Sequence, residues 1–264
     1  MSLIKTIINN RSILLNLILA DFKNRYLGSH LGFIWAIIQP LVMVLVYWFV
    51  FTKGLRVGSV SDSPFLLWLL SGLLPWFILN DAILTASNAV VSQSFLVKKI
   101  VFEVKLLPVI KIGSSLLVSL AFWLLLPLIS IGYGYYPSLI WFQLLYFIIC
   151  ILLLSLSVGM MLAAVIPFVP DIAQLLIMLF QVLFWATPVL WNQNMLIHHP
   201  IMQYIIKLNP FAYIVDGFRD VIITKTPFWH FYNQMVYFWL VLIILYWLSN
   251  KLFNKLSPHF ADVL

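Results

Sequence analysis

The chain has 264 residues, of which 64% are hydrophobic and only 9% are charged, and its formal net charge is +7. Soluble domains carry roughly a quarter charged residues, so this composition excludes a soluble globular protein and indicates an integral membrane protein. The sequence has no linker-like stretch and no internal repeat, and we expect a single transmembrane domain over residues 1–264.

The N-terminal segment, about residues 10–26, predicts a helix that lies in the membrane interface. One side of this helix is a polar stripe that consists of Ser12, Asn16, Ala20 and Lys23. Asp21 and Arg25 are spaced to pair along the helix, although both fall off that stripe. Because Asn16 interrupts the apolar core of RSILLNLILAD and a full span follows, we expect no cleaved signal peptide.

Six apolar segments follow, each long enough to cross a bilayer as a helix, which takes about 20 residues. They cover about 31–51, 65–91, 112–131, 139–165, 172–190 and 228–248. The strands of a transmembrane barrel would be about 10 residues long with alternating polarity. The segment lengths therefore predict an all-α membrane protein with six transmembrane helices.

The distribution of Lys and Arg predicts the orientation of these spans. With six spans both termini share one side of the membrane, and that side holds ten of the 15 basic residues. We therefore expect both termini in the cytoplasm. The net positive charge then reflects membrane orientation and attraction to anionic lipid, and we expect no nucleic-acid partner.

The segment between the fifth and sixth spans, about residues 192–227, is too long and too apolar for a plain loop. Asn209 followed by Pro210 favours a helix start, with Asn as the cap and Pro at the first position. We expect a re-entrant helical hairpin that dips into the outer leaflet, and the alternative is an interfacial loop that lies flat. Asp216, Arg219 and Asp220 fall in one helical neighbourhood, where their charges can neutralise one another.

Motifs for chemistry are absent from the sequence. There is no GxxxxGK[ST] phosphate-binding loop, no HExxH and no Cys/His cluster with metal-ligand spacing. Cys150 is the single cysteine, and the adjacent His198 and His199 are expected to be interfacial polar residues. Asp81 is the one acid well inside a predicted span, whereas a proton-driven transporter usually keeps several. We therefore expect no catalytic centre, metal or cofactor in this chain, and an energy source in another subunit.

Five stretches of the sequence, in order, resemble the permeases of type-2 ABC exporters, in particular the branch that exports O-antigen, capsule and teichoic acid polysaccharides. They are DFKNRYLGSHLGFIWAIIQP at 21–40, SGLLPWFILNDAI at 71–83, LVKKIVFEVKLLP at 96–108, FWATPVLW at 184–191 and LNPFAYIVDGFRD at 208–220. The third stretch departs from the family, because FEVK stands where FPRE is frequent.

The resemblance implies a homodimer in the bacterial inner membrane that moves a lipid-linked polysaccharide through a canal between the two copies. It also implies two cytoplasmic ATPase chains, which would bind the ATP and Mg. The residues expected to contact the ATPase are Asp21, Lys23, Arg25, Tyr26, Lys98, Lys99 and Glu103. Lys99 and Glu103 have the spacing to pair within a short coupling helix.

Some aromatic residues are candidates for the canal wall, because aromatic faces stack against sugar rings. Those expected at the outer ends of the first and fifth spans are Tyr47, Trp48, Phe51, Trp185 and Trp191. The alternative for each is a place in the interfacial girdle, where we expect Trp68, Trp141 and Trp229.

Two further expectations concern helix contacts. Gly28 and Gly32 form a small-xxx-small pair that allows a neighbouring helix to approach closely, and Pro40 is expected to kink the first span. An acid within a span is costly unless it is paired or wetted, and Arg219 is the expected partner of Asp81.

Two alternatives to polysaccharide export stay open at this point. One is an ABC permease for a drug or a lipid. The other is a polytopic membrane enzyme that acts on a lipid-linked sugar, for which a juxtamembrane acid or histidine pair would be expected.

Overall fold

The computed structural model describes residues 3–26, 32, 34–60, 63–99 and 103–264. Every regular element among them is helical, and the only strand-like pairing in these ranges is an isolated bridge between Val60 and Ser63. The predicted all-α class is confirmed. The α-helices are α1 (Leu3–Asn9), α2 (Arg11–Tyr26), α3 (Ile34–Phe49), α4 (Phe65–Ser87), α5 (Ala89–Ser92), α6 (Ser94–Lys99), α7 (Leu106–Gly132), α8 (Gln143–Val165), α9 (Asp171–Ala186), α10 (Pro200–Lys207), α11 (Pro210–Arg219), α12 (Tyr232–Leu256) and α13 (Phe260–Val263).

Short turns of 3₁₀ or π helix extend several of these helices. A π turn at Val50–Gly54 continues α3, and another at Asp220–Thr224 continues α11. The 3₁₀ turns are Leu139–Phe142 before α8, Gln193–Leu196 after α9, Phe228–Phe231 before α12 and Ser257–His259 after α12.

Five helical stretches within the described residues are long and apolar enough to cross a membrane. They are Ile34–Gly54, Phe65–Ser87, Leu106–Gly132, Leu139–Val165 and Phe228–Val263. These stretches correspond to five of the six predicted spans, and they establish a multi-pass membrane protein. The sixth predicted span coincides with α9, which has only 16 residues and extends about 24 Å at 1.5 Å per residue.

Pro188 explains why α9 is shorter than the predicted span of 172–190. A residue before proline is pushed out of the helical region because the proline ring clashes with its backbone. Thr187 accordingly has extended dihedral angles, with φ −89° and ψ 138°, and the helix ends at Ala186. The prediction followed the apolar run past this proline and was wrong at that boundary.

Two other predicted span boundaries also differ from the helix boundaries in the structure. The predicted second span of 65–91 breaks at Asn88, so that α4 ends at Ser87 and the short α5 follows. The third span was predicted from residue 112, but α7 begins six residues earlier, at Leu106. Lys111, which precedes the predicted start, thus lies inside α7, and its charge is paired with Asp21.

Helix α4 is the centre of the fold. It packs against α7, α8, α9 and α11, and 78% of its apolar window is buried inside the chain. The corresponding value for the first span is only 11%. Most of α3 is therefore not covered by the described part of the chain, which leaves its side chains for lipid or another subunit.

Helix α2 lies against the first turns of α7. Leu14 packs in a small cluster with Leu106, Leu107 and Ile110. The approach is close at Gly113, where an added Cβ would lie 2.6 Å from Ile18 Cδ1. The predicted polar stripe of α2 is exposed along its length, as expected.

The segment after α9 folds back as two short helices, α10 and α11. The predicted helix start is confirmed, because Asn209 Oδ1 accepts a hydrogen bond from the backbone N–H of Phe211 at 2.9 Å and Pro210 opens α11. The Asn209 amide also donates to Thr187 Oγ1 at 2.9 Å, which ties the start of α11 to the end of α9.

Two expectations about local contacts are not supported. Gly32 has a φ of +48°, in the left-handed region that glycine adopts readily, and an added Cβ there would meet no described atom within 4 Å. Its predicted partner Gly28 lies outside the described residues. Glu103 is not helical and precedes α7, so it does not share a coupling helix with Lys99, at the end of α6.

Candidate functional site

Four charged side chains from three helices meet where α2 crosses the bundle. Arg25 Nη1 lies 2.9 Å from Asp81 Oδ2, and Arg25 Nε lies 3.5 Å from Asp21 Oδ2. Lys111 Nζ lies 2.5 Å from Asp21 Oδ1. We call these four residues the charge cluster. It joins α2 to α4 through Asp81 and to α7 through Lys111.

Hydrogen bonds extend the charge cluster on both sides. Arg25 Nη2 donates to the Lys111 carbonyl at 3.3 Å and to Ser115 Oγ at 3.1 Å. Ser115 Oγ is also 3.1 Å from Thr85 Oγ1, which donates to the Asp81 carbonyl at 2.7 Å. Two positive and two negative charges are thus balanced and bonded, which offsets the cost of placing them beside apolar spans.

The charge cluster corrects two expectations from the sequence. Asp81 pairs with Arg25 and not with Arg219. The side chain of Asp21 is only 7% exposed and that of Arg25 is 18% exposed, because both point into the bundle. The two side chains therefore present little surface to an ATPase, and they attach α2 to the spans.

The other predicted docking residues are divided between the surface and the undescribed parts of the chain. Lys23 and Glu103 are exposed. The side chains of Tyr26, Lys98 and Lys99 lie outside the part of the structure that is described. Docking by these five residues stays a prediction.

A second feature is a cavity of about 400 Å³ between α3, α4 and α9, mostly walled by aromatic rings. Tyr47 from the first span and Trp185 from α9, two of the predicted canal residues, line it. Asn80 and Gln181 add amide groups to the wall. The other aromatic residues of the wall are Trp76, Phe77, Phe180 and Phe184.

The remaining predicted canal residues lie elsewhere. Phe51 stacks on Phe65 with ring centroids 5.6 Å apart, and Trp48 packs against the core. The indole of Trp191 donates to the Trp185 carbonyl at 2.9 Å and faces a separate apolar hollow with Met195 and Met202. The structure therefore brings together Tyr47 and Trp185, and not all five.

A third feature surrounds Arg219, in the last turn of α11. Its guanidinium donates to the carbonyls of Pro188 and Val189, and lies 3.8 Å from the centroid of the Trp68 ring. Trp68 is thus buried under a cation, and its predicted place in the interfacial girdle is wrong. Arg219 Nη1 also lies 3.6 Å from Asp216 Oδ1, which confirms the expected pairing of these two charges.

Beside Arg219 opens a polar cavity of about 330 Å³, which we call the outer cavity. Asp216 and Asp220 line it, and Gln193 donates a hydrogen bond to the Asp216 carboxylate. Burial raises the pKa of Asp216 to about 7, and the neighbouring Arg219 opposes that rise. Burial lowers the pKa of Arg219 to about 10, so its guanidinium stays charged at neutral pH.

Comparison with known proteins decides the class of the chain. The profile of the family described as "ABC-2 type transporter" matches residues 14–223, which include the charge cluster, the aromatic cavity and most of the outer cavity. The chain belongs to the ABC-2 type transporter family. As an ABC-2 transporter it is a transport permease of the inner membrane, and its ATPase is a separate subunit.

Three relatives of this ABC-2 transporter carry the name "O-antigen export system permease protein RfbA". One from Klebsiella pneumoniae is 27% identical over 248 residues, which cover 92% of each chain. One from Myxococcus xanthus is 25% identical over 272 residues, which cover 98% of each chain. Another from Klebsiella pneumoniae is 24% identical, again over 92% of each chain.

Several residues of these sites were not singled out from the sequence of the ABC-2 transporter. Lys111 and Ser115 were not assigned to any site, although they hold Asp21 and Arg25. Asn80, Gln181 and Gln193 could have been suspected from the sequence. An amide side chain in or beside a long apolar segment is costly unless it has a partner or faces a cavity. No group of three or more His, Cys, Asp or Glu side chains that could hold a metal occurs among the described residues.

Proposed function

We propose that this ABC-2 transporter is the membrane permease of an ATP-driven exporter of an O-antigen-like, lipid-linked polysaccharide. The observation that carries the proposal is the match to three O-antigen export permeases over 92–98% of both chains. The family profile supports a permease, and the relatives' names support the cargo.

The translocation path in this proposal is a canal between two copies of the chain. The first span, 11% buried within its own chain, supports this arrangement, because a second copy would cover it. The outward side of α9 is apolar and exposed as well, with Leu175, Met178 and Val182 more than half uncovered. The aromatic cavity opens between these two helices, so Tyr47 and Trp185 would contact the polymer.

The membrane topology in this proposal has six crossings with both termini in the cytoplasm. Helix α9 provides the fifth crossing despite its length, and α10 and α11 form a re-entrant hairpin at the outer surface. The distribution of basic residues supports the orientation, and the capped start of α11 at Asn209 supports the hairpin.

In this proposal the charge cluster couples movement of the ATPases to movement of the transmembrane helices. Two cytoplasmic ATPase chains, which hold ATP and Mg²⁺, would contact the exposed side of α2 and the segment around Glu103. Movement of α2 would pull on α4 through Arg25 and Asp81 and on α7 through Asp21 and Lys111, because these pairs cross between helices. Closure of the ATPases would thereby open the canal.

The test is depletion of this permease in a host that assembles the polysaccharide on a lipid carrier. We expect surface polysaccharide to fall and lipid-linked polymer to accumulate inside, because synthesis continues while export stops. Labelling of the polymer on intact cells and on permeabilised cells measures the two pools separately.

The control is re-expression of the wild-type chain, which should restore the surface pool. A variant that lacks the first 26 residues should insert without restoring export, because it has no interface helix. Unchanged surface polysaccharide after depletion would refute the proposed cargo, and loss of a lipid or drug efflux activity instead would assign the permease to one of those substrates.

A further inference from the structure

We propose that the outer cavity is a binding site for a pyranose unit of the exported polysaccharide, which it holds where the polymer leaves the permease. This inference rests on the proposed function and adds a site to it. The cavity of about 330 Å³ falls at the lower end of the 300–1,000 Å³ that small-ligand sites occupy, which suits a short saccharide unit.

The outer cavity lies at the opposite end of α4 from the charge cluster. Trp68 stands in the first turn of α4 and Asp81 near its end, so the two sites are separated by about 20 Å along the helix. The walls come from the ends of α10 and α11, the turn after α9 and the start of α12. Helix ends that meet on one side of the bundle provide this site.

The wall carries the side chains that recognise hydroxyl groups. Asn194, Gln193 and Gln234 offer both donors and acceptors, and Asp216 and Asp220 accept. Phe231, which is 43% exposed, supplies an aromatic face for the apolar side of a sugar ring. Lys207 and Arg219 stand beside Asp216 and Asp220, so the wall carries groups of both signs and suits a polyhydroxyl ligand better than a simple anion or cation.

Two polar groups at this cavity have no partner within the described part of the chain. Arg219 Nε is buried and makes no hydrogen bond there, although the other guanidinium nitrogens are bonded to carbonyls. Gln234 is partly buried, and no hydrogen bond of its amide occurs among the described residues. An unsatisfied polar group is costly when it loses water, and a bound hydroxyl at the cavity wall would satisfy the Gln234 amide.

The experiment places a photo-reactive p-benzoylphenylalanine at position 234 in the complete exporter, in cells that make the polysaccharide. Irradiation should attach glycan to the permease, visible as a higher-mass ladder that a glycan stain detects. Asn233 is the matched control, because it neighbours Gln234 in α12 but is exposed and does not line the cavity. We expect the adduct to be at least several times stronger at 234 than at 233.

A second measurement uses Gln234→Ala and Asn233→Ala at limiting polymer supply. Loss of one hydrogen bond to a neutral hydroxyl should slow export about two- to tenfold for Gln234→Ala and leave Asn233→Ala unchanged. Equal labelling at the two positions, or a lipid adduct without glycan at 234, would overturn the site. If instead depletion of the wild-type chain leaves surface polysaccharide intact, the proposed function itself fails, so the two failures are distinguishable.

Discussion

Arg25 and Asp81 are 56 residues apart in the chain, yet Arg25 Nη1 lies 2.9 Å from Asp81 Oδ2. This contact links α2 to the central helix α4, and Arg25 also donates a hydrogen bond to the Lys111 carbonyl near the start of α7. A side chain that reaches three helices couples their positions. We therefore expect the pair to affect both the stability of the fold and the coupling of helix movements to export. Separate measurements distinguish these two effects.

Arg25→Gln should destabilise the permease, because it leaves the Asp81 carboxylate without its partner beside the spans, whereas Asp21 keeps Lys111. We expect a loss of about 1–2 kcal/mol in the free energy of unfolding in detergent, at the lower end for a charged hydrogen bond since Asp81 is 41% exposed. Asp81→Asn should cost a similar amount, and the double variant less than the sum. Losses that simply add would show that the two charges do not interact.

Lys23→Glu should lower ATPase binding with little loss of stability, whereas Arg25→Gln should lower stability. Lys23 is exposed on α2 and outside the charge cluster, so its reversal should change stability by no more than about 0.5 kcal/mol. It should weaken binding of the partner ATPase and lower export. Co-purification of the ATPase with the membrane-inserted permease measures this binding. Full retention of the ATPase would mean that the exposed side of α2 does not dock the ATPase and that α2 is only a membrane anchor.

Gly72→Ala should disturb the outer cavity by displacing Arg219. A Cβ at Gly72 would collide with Arg219 Nη2, and it would lie 2.9 Å from Arg219 Cζ and 3.1 Å from the Val189 carbonyl. Because the guanidinium is held by two carbonyls and the Trp68 ring, we expect a cost of about 1–3 kcal/mol in a thermal unfolding assay.

The matched control is Gly58→Ala, since a Cβ there meets nothing within 4 Å. It should change stability by about 0.5 kcal/mol or less. Similar melting temperatures for the two alanine variants would mean that Arg219 moves freely, and the description of a fixed guanidinium would be wrong.

Tyr47→Ala and Trp185→Ala should slow export about two- to tenfold, because each removes one aromatic face from the cavity between α3 and α9. Basal ATP hydrolysis and assembly should be unchanged. Trp247→Ala is the control, since Trp247 is exposed on α12 and contacts Lys251 instead. Normal export in both cavity variants would assign Tyr47 and Trp185 to the interfacial girdle.

Single cysteines at Ser59, Asn194 and Asn254 should report the topology on a Cys150→Ala background, because all three positions are exposed. An impermeant thiol reagent should label positions 59 and 194 from outside intact cells, and position 254 only after permeabilisation. The reverse pattern would contradict cytoplasmic termini, and labelling of 59 without 194 would contradict α9 as a crossing.

The sequence predicted most of the helices but not the ion pairs that join them. Apolar runs determine where a chain can cross a bilayer, and five of the predicted segments coincide with long apolar helices. The errors arose at single residues: Pro188 ends α9 early, and the paired Lys111 lies inside α7 rather than before it.

The ion pairs could not be predicted in the same way. Asp81 is 56 residues from Arg25 and 138 from Arg219, and hydropathy contains no information on which cation it meets. The expected pairing of Asp216 with Arg219 succeeded because three residues along one helix fix the geometry locally. The outer cavity depends on five separated segments, so its amides could be suspected but not assembled from the sequence.

The most direct test of the central claim is ATP-dependent transport in proteoliposomes that contain the purified permease and its partner ATPase. Lipid-linked polysaccharide is supplied on the ATPase side, and polymer that reaches the opposite side is measured by its protection from an added glycosidase. We expect protected polymer to accumulate with ATP, to be absent without ATP, and to be reduced by Arg25→Gln even where the ATPase stays bound. Hydrolysis of ATP that proceeds without any protected polymer, with authentic cargo present, would contradict the account.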